Sequence, residues 1–293
     1  MTKYHIKDLE KLSGVKAHTI RMWEQRYNLL QPFRTETNIR YYDDKQLKIL
    51  LNVTSLVRNG YKISKVSKFS HEEISNLIQS IELGKTPGDH RSEVFINNLI
   101  LAGFSYNELA FESAFSSALM HYGVRDIYLN VIYPMMQRIG VLWTTDYFNP
   151  AQEHFISNML KRKFYMAIES LPYPAEECDK WLLFLPEDEG HEGGLLFAHY
   201  LLRKHANRVF YLGAFVPLES LESAVSVIKP RFMLCFLVRS SIKNSIQEYL
   251  DQLADKFPDQ EILVSARYYQ TTDLKVKENI HFVYSVEEFE KYM

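Results

Sequence analysis

The residues best equipped for chemistry lie in Leu183-Phe-Leu-Pro-Glu-Asp-Glu-Gly-His191-Glu-Gly-Gly194. A neutral imidazole such as that of His191 is a good ligand for a transition metal. A carboxylate two residues away, Glu189, can fix the tautomer of the ring and raise its basicity. Gly194 has no Cβ, so backbone can approach a bulky ligand closely there. The same residues also make an ordinary polar turn with an exposed histidine, and their setting decides between the two readings. A second set stands upstream: Trp143, then nine residues, then Glu153-His154. A flat aromatic can cover one face of a ligand. The plain alternatives are a bundle-core ring for Trp143 and, for Glu153, a first-turn acid that suits the helix dipole.

These groups need elements to hold them. The loop follows an apolar run, Trp181 to Leu185, and precedes a helical pattern starting at Leu195. Strand patterns recur at 180–185, 208–212, 231–238, 261–265 and 281–284. Helical patterns lie near 195–205, 218–227, 242–256 and 274–278. Alternation of this kind predicts a five-stranded parallel sheet with helices on both faces. Ligands of such sheets bind at the carboxyl ends of the strands, where the His191 loop falls. Before it, 91–102, 105–121, 124–142 and 150–170 carry helical periodicity without strand signals. Ser105 with Glu108 predicts a capping box, and Pro150 sits at a helix start. Four helices with short joints predict a bundle.

The first 70 residues differ in charge. They hold 14 Lys/Arg against 6 Asp/Glu, while the rest of the chain holds 20 against 30, for a net −2. A basic head on an acidic body is the electrostatic footprint of a nucleic-acid-binding module. Helices are predicted over 6–12 and 17–27, broken at Ser13-Gly14-Val15 as in a helix-turn-helix. Lys16, His18 and Arg21 lie at the start of the second helix and Arg26 further along. First turns of recognition helices meet the major groove, and flanking basic groups hold phosphates. From Leu29 to Tyr42 the chain reads as a β-hairpin wing with Arg34 and Arg40 at its bases. A third helix, 44–58, stops at Asn59-Gly60, and a fourth starts near Ile63. The expected domains are a winged helix-turn-helix over 1–75, a helical bundle over 88–170 and an α/β domain over 178–293, making a multidomain α and α/β chain.

Residues 1–70 closely resemble the MerR family of transcriptional regulators. The matching residues are Gly14-Val15, Thr19-Ile20-Arg21, Trp23-Glu24, Arg26-Tyr27, Leu29-Leu30-x-Pro32-x-Arg34 and Arg40-Tyr41-Tyr42. The resemblance implies that Lys16, His18 and Thr19 face the groove. It also implies that Arg21, Trp23, Arg34, Arg40 and Tyr41 touch the DNA backbone or the wing site, although Trp23 and Tyr27 can equally serve the core. The long dimerisation helix usual in the family is not expected, because 72–83 is short and is followed by Gly84-Lys-Thr-Pro87-Gly88. Oligomerisation, as dimer or tetramer, is then left to the body.

The order Glu189-x-His191-x-x-Gly194 resembles the Asp-x-His-x-x-Gly signature of flavodoxin-like cobalamin domains, with Glu for Asp. The spacing of Trp143 and Glu153-His154 resembles the cap motif of the light-sensing, adenosylcobalamin-binding branch of the MerR family. The resemblance implies His191 as the lower cobalt ligand, Glu189 as its orienter, and Trp143, Glu153 and His154 above the corrin. It places the usual Ser/Thr turn at Val238-Arg239-Ser240-Ser241, where only Ser240 or Ser241 can serve. The usual Gly-Gly pair is replaced by Ser265-Ala266. Some relatives have a histidine after the cap tryptophan, where this chain has Thr144.

The expected function is a DNA-binding regulator, not an enzyme, that senses adenosylcobalamin, with light as a candidate signal, and switches promoter binding through oligomerisation. One alternative is a body that binds a protein partner or another chromophore instead. A corrinoid enzyme component is less favoured, since it lacks a reason for the basic head. No apolar run approaches 18 residues, so no membrane span is expected. The first ten residues lack a signal-peptide core, and Cys178 and Cys235 have no metal spacing, so a cytoplasmic protein with inert thiols is expected.

Overall fold

The computed structural model describes residues 4–82, 91–143, 150–238, 246–266, 271 and 274–293. They form two compact units, Met1–Ile156 and Ser157–Met293.

The first unit opens with α1 (Ile6–Ser13) and α2 (Ala17–Tyr27). Gly14 ends α1 at φ +70, a left-handed conformation that glycine adopts without steric cost. Strands β1 (Phe33–Arg34) and β2 (Arg40–Tyr41) pair antiparallel as the wing. Asn38, at φ +65, turns its tip. Helix α3 (Asp44–Arg58) is capped by Asp43, whose carboxylate accepts from the Gln46 N–H. Short α4 (Ile63–Val66) and α5 (His71–Glu82) follow. Leu9, Leu12, Ile20, Leu47, Leu50, Leu51 and Leu56 are buried, so the apolar faces of α1, α2 and α3 make one core.

The bundle helices are α6 (Arg91–Phe104), α7 (Glu108–Ile127), α8 (Tyr133–Trp143) and α9 (Pro150–Glu169). The capping box expected at Ser105 is not formed. The Ser105 hydroxyl bonds back to the Leu101 carbonyl, ending α6, and Asn107 caps α7 by accepting from the Ala110 N–H. The break expected between His121 and Val124 falls at Gly123, with φ 72 and ψ 173. A π-helical turn, Tyr128–Ile132, then leads into α8. Pro134 follows it, and a proline has no N–H to give to a carbonyl one turn back. Head and bundle, read as separate domains, pack together: α3 and α5 lie against α6, and α1 against α8.

The second unit holds the end of α9 and a five-stranded parallel sheet of β3 (Lys180–Pro186), β4 (Arg208–Val216), β5 (Phe232–Leu237), β6 (Glu261–Ala266) and β7 (Ile280–Val283). Its order, β4-β3-β5-β6-β7, is flavodoxin-like. Helices α10 (Gly193–Lys204), α11 (Leu218–Ile228) and α12 (Ile246–Lys256) connect the strands, and α13 (Val286–Phe289) follows β7. Strand β3 lies between β4 and β5, and Trp181 to Leu185 are fully buried, as a strand covered on both faces requires. Trp181 stacks on Phe232 with ring centroids 4.4 Å apart. Strand β4 runs past Leu212, where it was expected to stop, through a register shift at Gly213 (φ +80). The helix expected at 274–278 is not there. The Gln247 side chain donates to the Lys275 carbonyl (2.6 Å) and accepts from its N–H (3.0 Å), which satisfies that backbone without helical bonds. Among the described residues no helix is long and apolar enough to cross a membrane.

Candidate cofactor site and nucleic-acid interface

Strand β3 delivers its loop to the carboxyl end of the sheet. The Glu189 N–H closes a turn on the Pro186 carbonyl at 2.9 Å, which swings the Glu189 side chain inward until it has no exposure. Its Oε1 accepts from the His191 N–H (3.0 Å) and lies 2.5 Å from His191 Nδ1. Its Oε2 accepts from the Val238 N–H, at the end of β5, at 3.0 Å. Two backbone donors and an imidazole are what a buried, ionised carboxylate needs. With Nδ1–H donating to Glu189, the lone pair of His191 sits on Nε2. The His191 side chain is 45% exposed, so that nitrogen is on the solvent side of a ring held from behind. The extra methylene of Glu189, relative to Asp, lets one carboxylate span from its own loop to β5. Among the described residues no group of three or more His, Cys, Asp or Glu could hold a bare metal ion.

The neighbouring residues add restraint. A Cβ on Gly194 would stand 2.6 Å from the Phe236 ring, and one on Gly190 would stand 2.8 Å from Phe215. What occupies the space over Gly194 is therefore a side chain of β5. Glu192 pairs with Lys161 of α9 and accepts from the Tyr211 hydroxyl at 3.1 Å. Burial, then the Glu192 charge, pushes the Tyr211 phenol well up, which keeps it a donor. Tyr211 stacks on His199, with ring centroids 5.3 Å apart. Lys161, Glu192 and Tyr211 were missed by the sequence reading. Their pairing joins positions 19 and 31 residues apart, and no local pattern marks it. Ser265 is half-buried near the end of β6, opposite Phe236 of β5. Ser240 and Thr144 lie outside the described residues.

The remaining cofactor candidates belong to the first unit. Trp143 is the last residue of α8, and its side chain lies outside what the structure describes. Glu153 and His154 are in the first turn of α9, with side chains 25% and 73% exposed and 3.6 Å apart. The neighbouring Gln152 is buried and donates to the Phe104 carbonyl at 2.9 Å, which pins this turn to the end of α6.

In the head, Lys16 precedes α2 at its N-cap position without a side-chain cap bond, its side chain is 75% exposed, and it pairs with Glu10 at 3.4 Å. His18, Arg21 and Arg26 are exposed and Thr19 half-buried. Arg26 lies over the Tyr27 ring, and Arg34, in the wing, donates to Asn38 at 2.5 Å. Arg40 approaches Glu24 at 3.8 Å, and Tyr41 stacks on Phe33 at 5.4 Å. Trp23 is placed differently from the expectation of a DNA contact. It is 6% exposed and lies among the buried apolar residues of the head, the core placement that the sequence left open beside a DNA contact.

Comparison with known proteins gives family matches over the head and the helical bundle. Residues 4–73 match the MerR HTH family regulatory protein family, and residues 96–167 match the B12 binding domain family. The chain is thus a MerR-type DNA-binding regulator that carries a B12-binding domain. It is 28% identical to the HTH-type transcriptional repressor CarH of Myxococcus xanthus, over 87% of this chain and 85% of that protein. It is 23% identical to the HTH-type transcriptional repressor CarA of the same organism, over 84% and 80%. In fold it is similar to the monomethylamine corrinoid protein of Methanosarcina barkeri, with a TM-score of 0.54 and 13% identity over 68% of this chain and 96% of that one.

Proposed function

We propose that this regulator senses adenosylcobalamin in its body, and that the ligand favours the promoter-binding assembly of a homo-oligomer in the cytoplasm. The observation that carries the reading is the His191–Glu189 pair: one imidazole, its Nδ1 held at 2.5 Å by a fully buried carboxylate, with Nε2 left free to ligate. A single protein ligand suits a metal whose equatorial positions a macrocycle already fills. His191 would hold the cobalt, Glu189 would orient it, Gly194, Ser240 and Ser265 would lie beside the cofactor, and Trp143, Glu153 and His154 would cover its upper face. Bound adenosylcobalamin would supply a light-labile cobalt–carbon bond, which makes light the signal that ends DNA binding. The switch requires only that the ligand bind the DNA-competent state more tightly than the other.

A second reading, a body that binds a protein partner or another chromophore, is favoured by Ser265-Ala266 standing where the cobalamin signature has two glycines. Mixing the protein with adenosylcobalamin in the dark separates the two. A coloured band that co-elutes with the protein at a larger size supports the first reading. A colourless protein of unchanged size supports the second.

A further inference from the structure

Where the head meets the bundle, one carboxylate lies between two guanidiniums. Glu93 of α6 pairs with Arg58 of α3 and, through both oxygens, with Arg138 of α8 at 2.9 and 3.1 Å. Arg58 also donates from Nη2 to the Ser13 carbonyl at 3.0 Å. Ser13 is the last residue of α1 and precedes the turn that sends the chain into α2. Its hydroxyl accepts from the Val15 N–H at 3.1 Å, so the turn is held from both sides. The guanidinium fits closely: a Cβ on Gly14 would stand 2.6 Å from Arg58 Nη2. On the other side, Arg138 donates to Asn97 at 2.9 Å, and Asn97 donates to the Ser55 hydroxyl at 2.9 Å. Asn97 and Ser55 are buried, with exposures of 2% and 1%. The polar chain thus runs from the helix-turn-helix turn through α3 and α6 to α8.

Its charge makes Glu93 the member on which the others depend. Two cations share one anion, so loss of the carboxylate leaves Arg58 and Arg138 facing each other, only partly exposed, with no counter-charge. Arg58 is then pushed off the Ser13 carbonyl, and the turn that sets the angle of α2 loses its outer support. We infer that Glu93, a residue of the bundle, is a positioning residue for DNA recognition, acting through Arg58 on the turn between α1 and α2. The inference rests on α2 being the element that reads DNA. It gives the body a route to the head, because Arg138 sits on the helix that ends at Trp143.

The test is a double-mutant cycle on the full chain. The readouts are affinity for a duplex selected from a random pool by the wild-type protein, and hydrogen exchange of residues 13–17. Glu93→Gln and Arg58→Met should each weaken DNA binding about tenfold. The double variant should be no worse than Arg58→Met alone, and exchange of 13–17 should rise in all three. Independent, multiplying losses, or an unchanged turn in Glu93→Gln, would overturn the inference. If Glu93→Gln does not fold, Glu93→Asp, whose shorter side chain draws the carboxylate back from Arg58, enters the cycle in its place and must likewise lose its effect beside Arg58→Met. If the wild type selects no duplex, the DNA-binding role of α2 fails, while the exchange data still decide whether Glu93 acts on the turn.

Discussion

In the head, the side chains offered to DNA stand in water. Lys16, His18, Arg21, Arg26 and Arg34 are exposed, on a scaffold whose core is separate from them. In the α/β unit the reverse holds. The group on which the loop depends, Glu189, has no exposure, and the ring it serves is the part that reaches solvent. An interface to a polyanion works by many weak, independent contacts, each replaceable. A ligating histidine works by one contact that must be oriented, and orientation comes from buried bonds. Mutations should therefore separate binding from stability in the head and join them in the loop.

The largest effect belongs to the residue that crosses this division. Trp23, buried in the head core, should cost about 3–5 kcal/mol when changed to Ala, read by chemical unfolding. A loss under about 1 kcal/mol would return Trp23 to the DNA-contact surface. Glu189→Gln comes next. It removes the charge that accepts from His191 and the Val238 N–H, so stability should fall by about 2–3 kcal/mol and cobalamin affinity at least tenfold. If affinity fell alone, the carboxylate would not be holding the loop.

His199 gives an effect of similar size that depends on pH. Burial, then the Arg203 charge, lowers its pKa from 6.5 to about 4, and both ring nitrogens are buried without hydrogen-bond partners among the described residues. The unfolded chain takes up a proton as pH drops below 6.5, and the folded chain refuses it until about 4. Stability is thus full above pH 6.5 and declines as pH falls toward 4. His199→Phe, which keeps a ring against Tyr211, should remove about 2 kcal/mol of the difference between melts at pH 7 and pH 5. The smallest effect on stability is expected for Arg21→Ala, within about 0.5 kcal/mol. Its DNA affinity should still fall several-fold and the salt slope by about one unit. A stability loss as large as that of Glu189→Gln would erase the contrast between the regions.

The same contrast explains what was legible in the amino-acid sequence. Local periodicity and capping residues placed α2, α3 and β3 almost to the residue, because each element's buried face follows its own period. The parallel sheet followed from alternation of strand and helix, and its flavodoxin-like character from the resemblance. Where a distant side chain intervenes, the reading failed. Gln247 takes the backbone of Lys275 out of a helix. Glu189 binds Val238 across 49 positions, Arg138 binds Glu93 across 45, and neither pairing leaves a local trace. His191 and Glu189 were found because their spacing is short. The bonds that make them a site lie elsewhere in the chain.

The central claim is that His191, held by Glu189, ligates cobalt. The direct measurement is the absorption spectrum of the full chain with adenosylcobalamin in the dark, beside His191→Ala. The account predicts a bound spectrum shifted from that of the free cofactor in the wild type, and loss of that shift in His191→Ala while the variant still folds. A variant whose bound spectrum matches the wild type would contradict it.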